Sequence, residues 1–146
     1  MAYRGYFRPS NPKKYKGNTD NIVWRSQWEL RVMRFLDTNP HILQWSSEEH
    51  IILYVDPVSG RQRRYFPDFW VKKKDSKGNI TEMIVEVKPY SQTMHPKKPA
   101  KITRGYIKEV CTYAVNQAKW EAAAKYCEKY NMEFVVMTEH ELGISV

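Results

Sequence analysis

The sequence predicts an α/β domain: a helix, a three-stranded antiparallel meander, further helices, and a final strand that completes a mixed sheet. Three observations predict it. Apolar residues recur at helical spacing over 22–37 and again beyond residue 103. Between these segments, runs rich in β-branched and aromatic residues are separated by turn chemistry. A short apolar strand, Glu133-Phe134-Val135-Val136-Met137-Thr138, follows the last helix, where a crossover brings it beside the meander.

The bulk numbers bound the function. At 146 residues the chain can bury one real core, and 42% hydrophobic with 14% aromatic content favours folding over disorder. No apolar run approaches the roughly 20 residues that span a bilayer. The start, Met1-Ala2-Tyr3-Arg4-Gly5-Tyr6, lacks the apolar core of a signal peptide, so a cytosolic protein with no membrane partner is expected. Cys111 and Cys127 have no CxxC spacing and read as reduced thiols. The net charge of +8, from 24 basic and 16 acidic residues, favours a polyanionic partner, most often nucleic acid.

Residues 1–20 read as a basic extended arm, and 21–146 as a single domain. The arm carries Arg4, Arg8, Lys13, Lys14 and Lys16, with no acid before Asp20. It is either a solvated tail or a phosphate-gripping arm, with Tyr3, Tyr6, Phe7 and Tyr15 available to pack or stack. Over 22–37, Ser26 is the expected N-cap with Glu29 at the third helical position, and Trp28, Val32, Phe35 and Leu36 make the core face. Glu29 either caps this helix alone or sends its carboxylate into a site. Asn39-Pro40 stops the helix.

The first strand region, 42–55, is interrupted by Ser46-Ser47-Glu48-Glu49. Turn chemistry at 56–60 leads to a second strand that runs through Pro67-Asp68 to Val71. A charged turn with Gly78-Asn79 at its tip precedes the third, 80–87. Between Val87 and Lys108 there is no acid, while Lys88, Lys97, Lys98, Lys101, Arg104 and Lys108 are present. This span reads as a basic loop, either merely solvated or gripping a nucleic-acid strand. Two helices are expected after it, one over 103–115 and one capped by Asn116 and ending near Asn131.

Two strands carry charges where apolar residues are expected: Asp68 in one, Glu86 and Lys88 in the other. Glu86 and Lys88 are two apart and project from one face, while Val85 and Val87 point into the core. If the Asp68 strand is adjacent, its carboxylate meets Glu86. Two carboxylates suit magnesium, which retains positions for water and phosphate oxygens, and a lysine beside them can orient water or offset phosphate charge. The other reading of the three charges is an ion-pair ladder on an exposed sheet face.

Pro67-Asp68 followed by Glu86-Val87-Lys88 resembles the PD-(D/E)xK signature of restriction-endonuclease-like nucleases. More of the chain is similar to the head-completion nuclease family of tailed phages, itself related to the end-cleaving subunit of cut-and-paste transposases. The residues that carry this are Tyr15-Lys16-Gly17, Arg25-Ser26-Gln27-Trp28-Glu29, Trp45-Ser46-Ser47-Glu48, the run from Arg63 to Trp70, Glu86-Val87-Lys88-Pro89 and Asn116-Gln117-Ala118-Lys119-Trp120. The resemblance implies a restriction-endonuclease-like core. It implies a magnesium-dependent endonuclease (Mg2+, with Mn2+ as substitute) that acts on packaged DNA or DNA ends, in the host cytoplasm or the virion, with phage head or portal proteins as partners. Glu29, Asp68 and Glu86 are then the metal-site acids and Lys88 the catalytic lysine. Glu48 and Gln117 stand as supporting residues behind them. Lys97, Lys98, Lys101 and Arg104 in the loop, with Arg4, Arg8, Lys13 and Lys14 in the arm, are the expected DNA contacts. A structural DNA-end-binding protein and a junction-type repair nuclease on the same fold remain open alternatives.

Overall fold

A computed structural model describes residues 4–143; the first three residues of the arm, Tyr3 included, and residues 144–146 lie outside the described residues. Strands β1 (Gly5–Tyr6) and β2 (Val23–Trp24) pair antiparallel ahead of helix α1 (Gln27–Thr38). Then come β3 (Ile42–Ser47), β4 (Ile52–Val55), β5 (Gln62–Tyr65), β6 (Phe69–Lys74) and β7 (Ile80–Val87). Helix α2 (Arg104–Lys129), β8 (Glu133–Met137) and the short α3 (Glu139–Leu142) complete the chain.

The main sheet is four-stranded, in the order β3-β6-β7-β8. Its first three strands are antiparallel and β8 joins β7 in parallel, so the sheet is mixed as the sequence predicts. Helix α1 covers one face. Val32, Met33 and Leu36 pack there with Trp45, Phe69, Val71, Met83, Val85 and Val87. Helix α2 covers the other, setting Trp120, Ala123 and Cys127 among Trp70, Ile84, Phe134 and Val136. The period-2 alternation of β7 thus feeds two cores.

The meander differs from the expectation in its joints. Ser46 and Ser47 stay in β3; the break comes at Glu48, whose φ of 55° is left-handed and cannot continue a strand. The second break falls at Pro67, which has no N–H to give the ladder. Between the two breaks, β4 and β5 form a separate two-stranded ribbon. The helices after the loop are also one helix. Thr103 caps it, its hydroxyl accepting from the Tyr106 N–H at 3.1 Å. Asn116 is therefore not an N-cap but lies buried mid-helix, since no Gly or Pro interrupts 106–129. Asn131 is the left-handed residue past its end, with φ 57°. There the Asn131 and Met132 N–H groups donate to the Glu128 and Cys127 carbonyls. Met33, not the half-exposed Phe35, fills the α1 core face.

Residues 5–24 are fastened to the domain. Phe7 and Tyr15 are buried edge-on against Trp45, which is fully buried. The Tyr15 hydroxyl accepts from the Ser47 N–H at 3.1 Å, and the Phe7 N–H donates to the Ile22 carbonyl at 2.7 Å. Buried Asp37 accepts from the Ser10 and Asn11 N–H groups at 2.8 and 3.0 Å. Phe7→Ala is therefore expected to destabilise the protein by about 3 kcal/mol in urea unfolding, the usual cost of deleting a buried aromatic. A loss below about 0.5 kcal/mol, normal for an exposed site, would show that this segment does not share the core.

Candidate active site

Strand register assembles the site. Phe69 pairs with Val85 across β6 and β7, which sets Asp68 opposite Glu86, one step further on. Two hydrogen bonds lock that step. The Asp68 N–H donates to Glu86 Oε1 at 3.3 Å, and the Val87 N–H donates to Asp68 Oδ2 at 2.7 Å. On the outer side, the Glu48 N–H donates to the Asp68 carbonyl at 3.1 Å. Lys88 follows, its backbone N–H donating to the Met137 carbonyl, and its Nζ lies 3.9 Å from Glu86 Oε2. Glu86 is 6% exposed, so these charges do not form a ladder on an open sheet face.

Glu29 sits in the first turn of α1 and also near Asp68. Ser26 caps α1 by accepting from the Glu29 N–H at 3.1 Å, and Glu29 Oε2 accepts from the Arg25 N–H at 2.6 Å. The same carboxyl lies close enough to Asp68 for each to feel the other. Glu48 stands behind it. The Arg25 guanidinium takes Glu48 in a two-pronged pair at 2.8 and 3.1 Å. Gln117 is exposed on α2 and makes no side-chain hydrogen bond among the described residues.

The electrostatics are strained in one direction. Burial, then the charges of Glu86 and Glu29, hold the Asp68 carboxyl well above the ordinary carboxylate range. Burial also raises Glu86, against the pull of Lys88, the Asp68 N–H and Lys119. Burial raises Glu29 too, opposed by the Arg25 N–H. Crowded, part-desolvated acids of this kind are short of positive charge, and among the described residues Glu86 Oε2 has one ion-pair partner, Lys88. Two such carboxylates fit a hard divalent cation that keeps water on its other positions. Among the described residues, no group of three His, Cys, Asp or Glu side chains is arranged to hold a metal ion; Asp68 and Glu86 come together as a pair, with Glu29 near Asp68.

Four residues of the site were not singled out as functional from the sequence. Arg25 binds both Glu29 and Glu48. The Tyr65 hydroxyl is buried beside Glu86, whose carboxyl it helps to hold down, and the Trp120 indole N–H is buried beside Tyr65; neither makes a well-formed hydrogen bond. Lys119 lies 5.8 and 5.6 Å over the Tyr54 and Tyr65 rings, near enough to act on Glu86. All four lie in the stretches that carry the family resemblance, but their roles emerge only where Arg25 meets Glu48 and α2 packs on Tyr65.

The expected DNA contacts divide. Lys97, Lys98, Lys101 and Arg104 are exposed on the loop and at the start of α2, and Arg4, Arg8 and Lys13 are exposed near the amino terminus. Lys14 is engaged elsewhere, its Nζ donating to the Asp37 and Asn39 carbonyls at 3.1 and 2.8 Å, where it caps the end of α1. No helix among the described residues is long and apolar enough to cross a membrane.

Residues 39–139 match the model of the TnsA-like endonuclease N-terminal family. The chain is also 40% identical to the head completion nuclease of Enterobacteria phage T4, over 97% of this chain and 95% of that protein. The crowding makes a stability prediction. An acid whose native pKa is raised holds its proton longer than the unfolded chain does, so stability falls as pH rises from the ordinary value of 3.8 toward the raised one. With chelator at neutral pH, Asp68→Asn should stabilise the protein by on the order of 1 kcal/mol, a gain that fades as pH falls toward 3.8. Added magnesium should raise the melting temperature of wild type and not of the variant. Equal metal responses in differential scanning calorimetry would contradict a cation at Asp68.

Proposed function

The chain belongs to the TnsA-like endonuclease N-terminal family, and from that premise we propose that it is a metal-dependent DNA endonuclease of the PD-(D/E)xK type. Its place is the completion of phage heads, on packaged DNA or DNA ends, in the host cell or the virion, beside head or portal proteins. The observation that carries the reading is the register that sets Asp68 against Glu86 with Lys88 on the same strand face. The phage T4 relative, a head completion nuclease by name, supports the assembly role.

Asp68 and Glu86, with Glu29 beside them, would hold magnesium, or manganese in its place. When bound, the metal supplies an acidified water and a counter-charge for the phosphoryl oxygens. The remaining work falls to the protein. Glu86 fixes Lys88 within reach of the site, where its ammonium orients the attacking water and offsets charge on the phosphate. The Val87 N–H holds the Asp68 carboxylate through Oδ2. Arg25 keeps Glu29 and Glu48 from adding two uncompensated charges. Tyr65, packed on Trp120, walls Glu86 with aromatic surface and keeps water from it, so that the charges act at a low local dielectric constant. Lys97, Lys98, Lys101 and Arg104 on one side, and Arg4, Arg8 and Lys13 on another, bind phosphates.

With magnesium or manganese, the protein should cut plasmid and linear DNA. Lys88→Ala should lose on the order of 100-fold in rate, the usual effect of removing one transition-state donor. Asp68→Ala and Glu86→Ala should cut below detection yet bind DNA as wild type does. If wild type and Lys88→Ala are equally inert across metals and DNA forms, the nuclease reading fails and a structural DNA-end-binding role takes its place. Replacing Lys97, Lys98 and Lys101 with Ala should flatten the salt dependence of DNA binding, by about 0.9 in log–log slope for each phosphate no longer neutralised. Anisotropy titrations across salt concentrations measure this.

A further inference from the structure

The β4–β5 ribbon has a role that the catalytic reading leaves unused. Its inner residues Ile52, Tyr54 and Tyr65 are buried against Trp120 and Ala123 of α2. Its outer face carries Leu53, Val55, Gln62 and Arg64, all exposed, and Phe66 continues it. The Arg64 guanidinium lies over the Phe66 ring at 5.6 Å, so its side chain is held extended along the ribbon. A shallow cleft is lined by Leu53, Gln62, Arg63, Arg64 and Phe66. Arg63 is paired with Asp56 at 3.0 Å, whereas Arg61 and Arg64 form no ion pair among the described residues.

The ribbon is stiff. Asp56 Oδ1 accepts from the Val58 and Ser59 N–H groups, and the Gly60 N–H donates to the Asp56 carbonyl at 2.8 Å. Gly60 takes the left-handed conformation that this turn requires, at φ 73°. The ribbon is also tied to the chemistry. Only three residues separate Arg64 from Asp68, four chain steps in all, so their Cα atoms lie no more than about 14 Å apart. That distance corresponds to about four base pairs of duplex rise.

We propose that the β4–β5 ribbon is a second DNA-binding element that grips the duplex flanking the cut, with Arg61 and Arg64 on its phosphates and the Leu53–Phe66 surface against the groove wall. This rests on the DNA-cleaving reading and gives that site its duplex-positioning part. The charge decides the occupant. The outer face carries Arg64 and no acid, Arg61 stands exposed at the turn end of the ribbon, neither arginine forms an ion pair among the described residues, and the whole molecule is +8, so a second copy or another basic surface is repelled. A two-stranded ribbon also matches the width of a major groove.

The test uses Asp68→Asn protein, which should bind DNA without cutting it, a short blunt duplex, and anisotropy across salt concentrations. Adding Arg61→Ala and Arg64→Ala should weaken binding about tenfold at moderate salt and reduce the log–log slope by about 2, since each neutralised phosphate contributes about 0.9. The charge-matched pair Arg31→Ala and Arg34→Ala, exposed on α1 across the sheet, should leave the slope nearly unchanged. Circular dichroism checks that both variants fold. An unchanged slope in the ribbon variant, or equal changes in both pairs, overturns the ribbon while the nuclease reading stands. Unchanged DNA binding with loss of a dimer would make the ribbon a self-association surface and also overturns it. If the unmodified Asp68→Asn protein binds no duplex at all, the DNA reading and the ribbon fall together.

Discussion

Asp68 and Glu86 meet because Phe69 is paired with Val85. Side chains alternate across a strand with a period of two, so a slip of one residue would send Glu86 and Lys88 into the α1 core and turn Val85 and Val87 toward α2. The two cores forbid the slip. Met83, Val85 and Val87 are buried against α1, and Ile84 is fully buried against α2. Hydrophobic packing on both faces thereby fixes the position of a polar pair at the sheet end. The two hydrogen bonds between Asp68, Glu86 and Val87 then refine it.

The same burial that enforces the register works against the charges it assembles. Glu86 is nearly enclosed, and each acid is pushed toward its neutral form. Arg25, Lys88 and Lys119 relieve part of this from three directions: one from the segment before α1, one from the end of β7 and one from α2. Acids held in this condition are poor contributors to stability and good recipients of a cation, which is how stability and activity commonly oppose one another in catalytic sites.

Much of the frame was legible in the sequence. Ser26 and Glu29 mark the start of α1, the apolar run over 83–87 marks a strand, and Asn131 marks the end of α2; all rest on local chemistry. The Pro67-Asp68 and Glu86-Val87-Lys88 pattern named the residues that the register brings together. What escaped depends on contacts distant in sequence. Phe7 and Tyr15 lie in a segment without period, yet Trp45 draws both into the core. Asn116 has the side chain of a cap, but helix formers on either side carry the chain through it. Lys14 looks like a free cation until the end of α1 arrives beside it. Lys119 and Tyr65 are ordinary residues in sequence and become neighbours only when α2 lies on the ribbon.

The ribbon leaves the sheet after Ser47 and returns at Phe69, and those two residues are paired with each other. The excursion therefore begins and ends at one clipped point, with the Glu48 N–H bonded to the Asp68 carbonyl across its base. Its length and outward residues can change without moving either strand it interrupts; only the inward Ile52, Tyr54 and Tyr65 are bound to α2. The ribbon is thus an insertion that the sheet tolerates: a change of its length or outer surface leaves the Asp68–Glu86 register untouched.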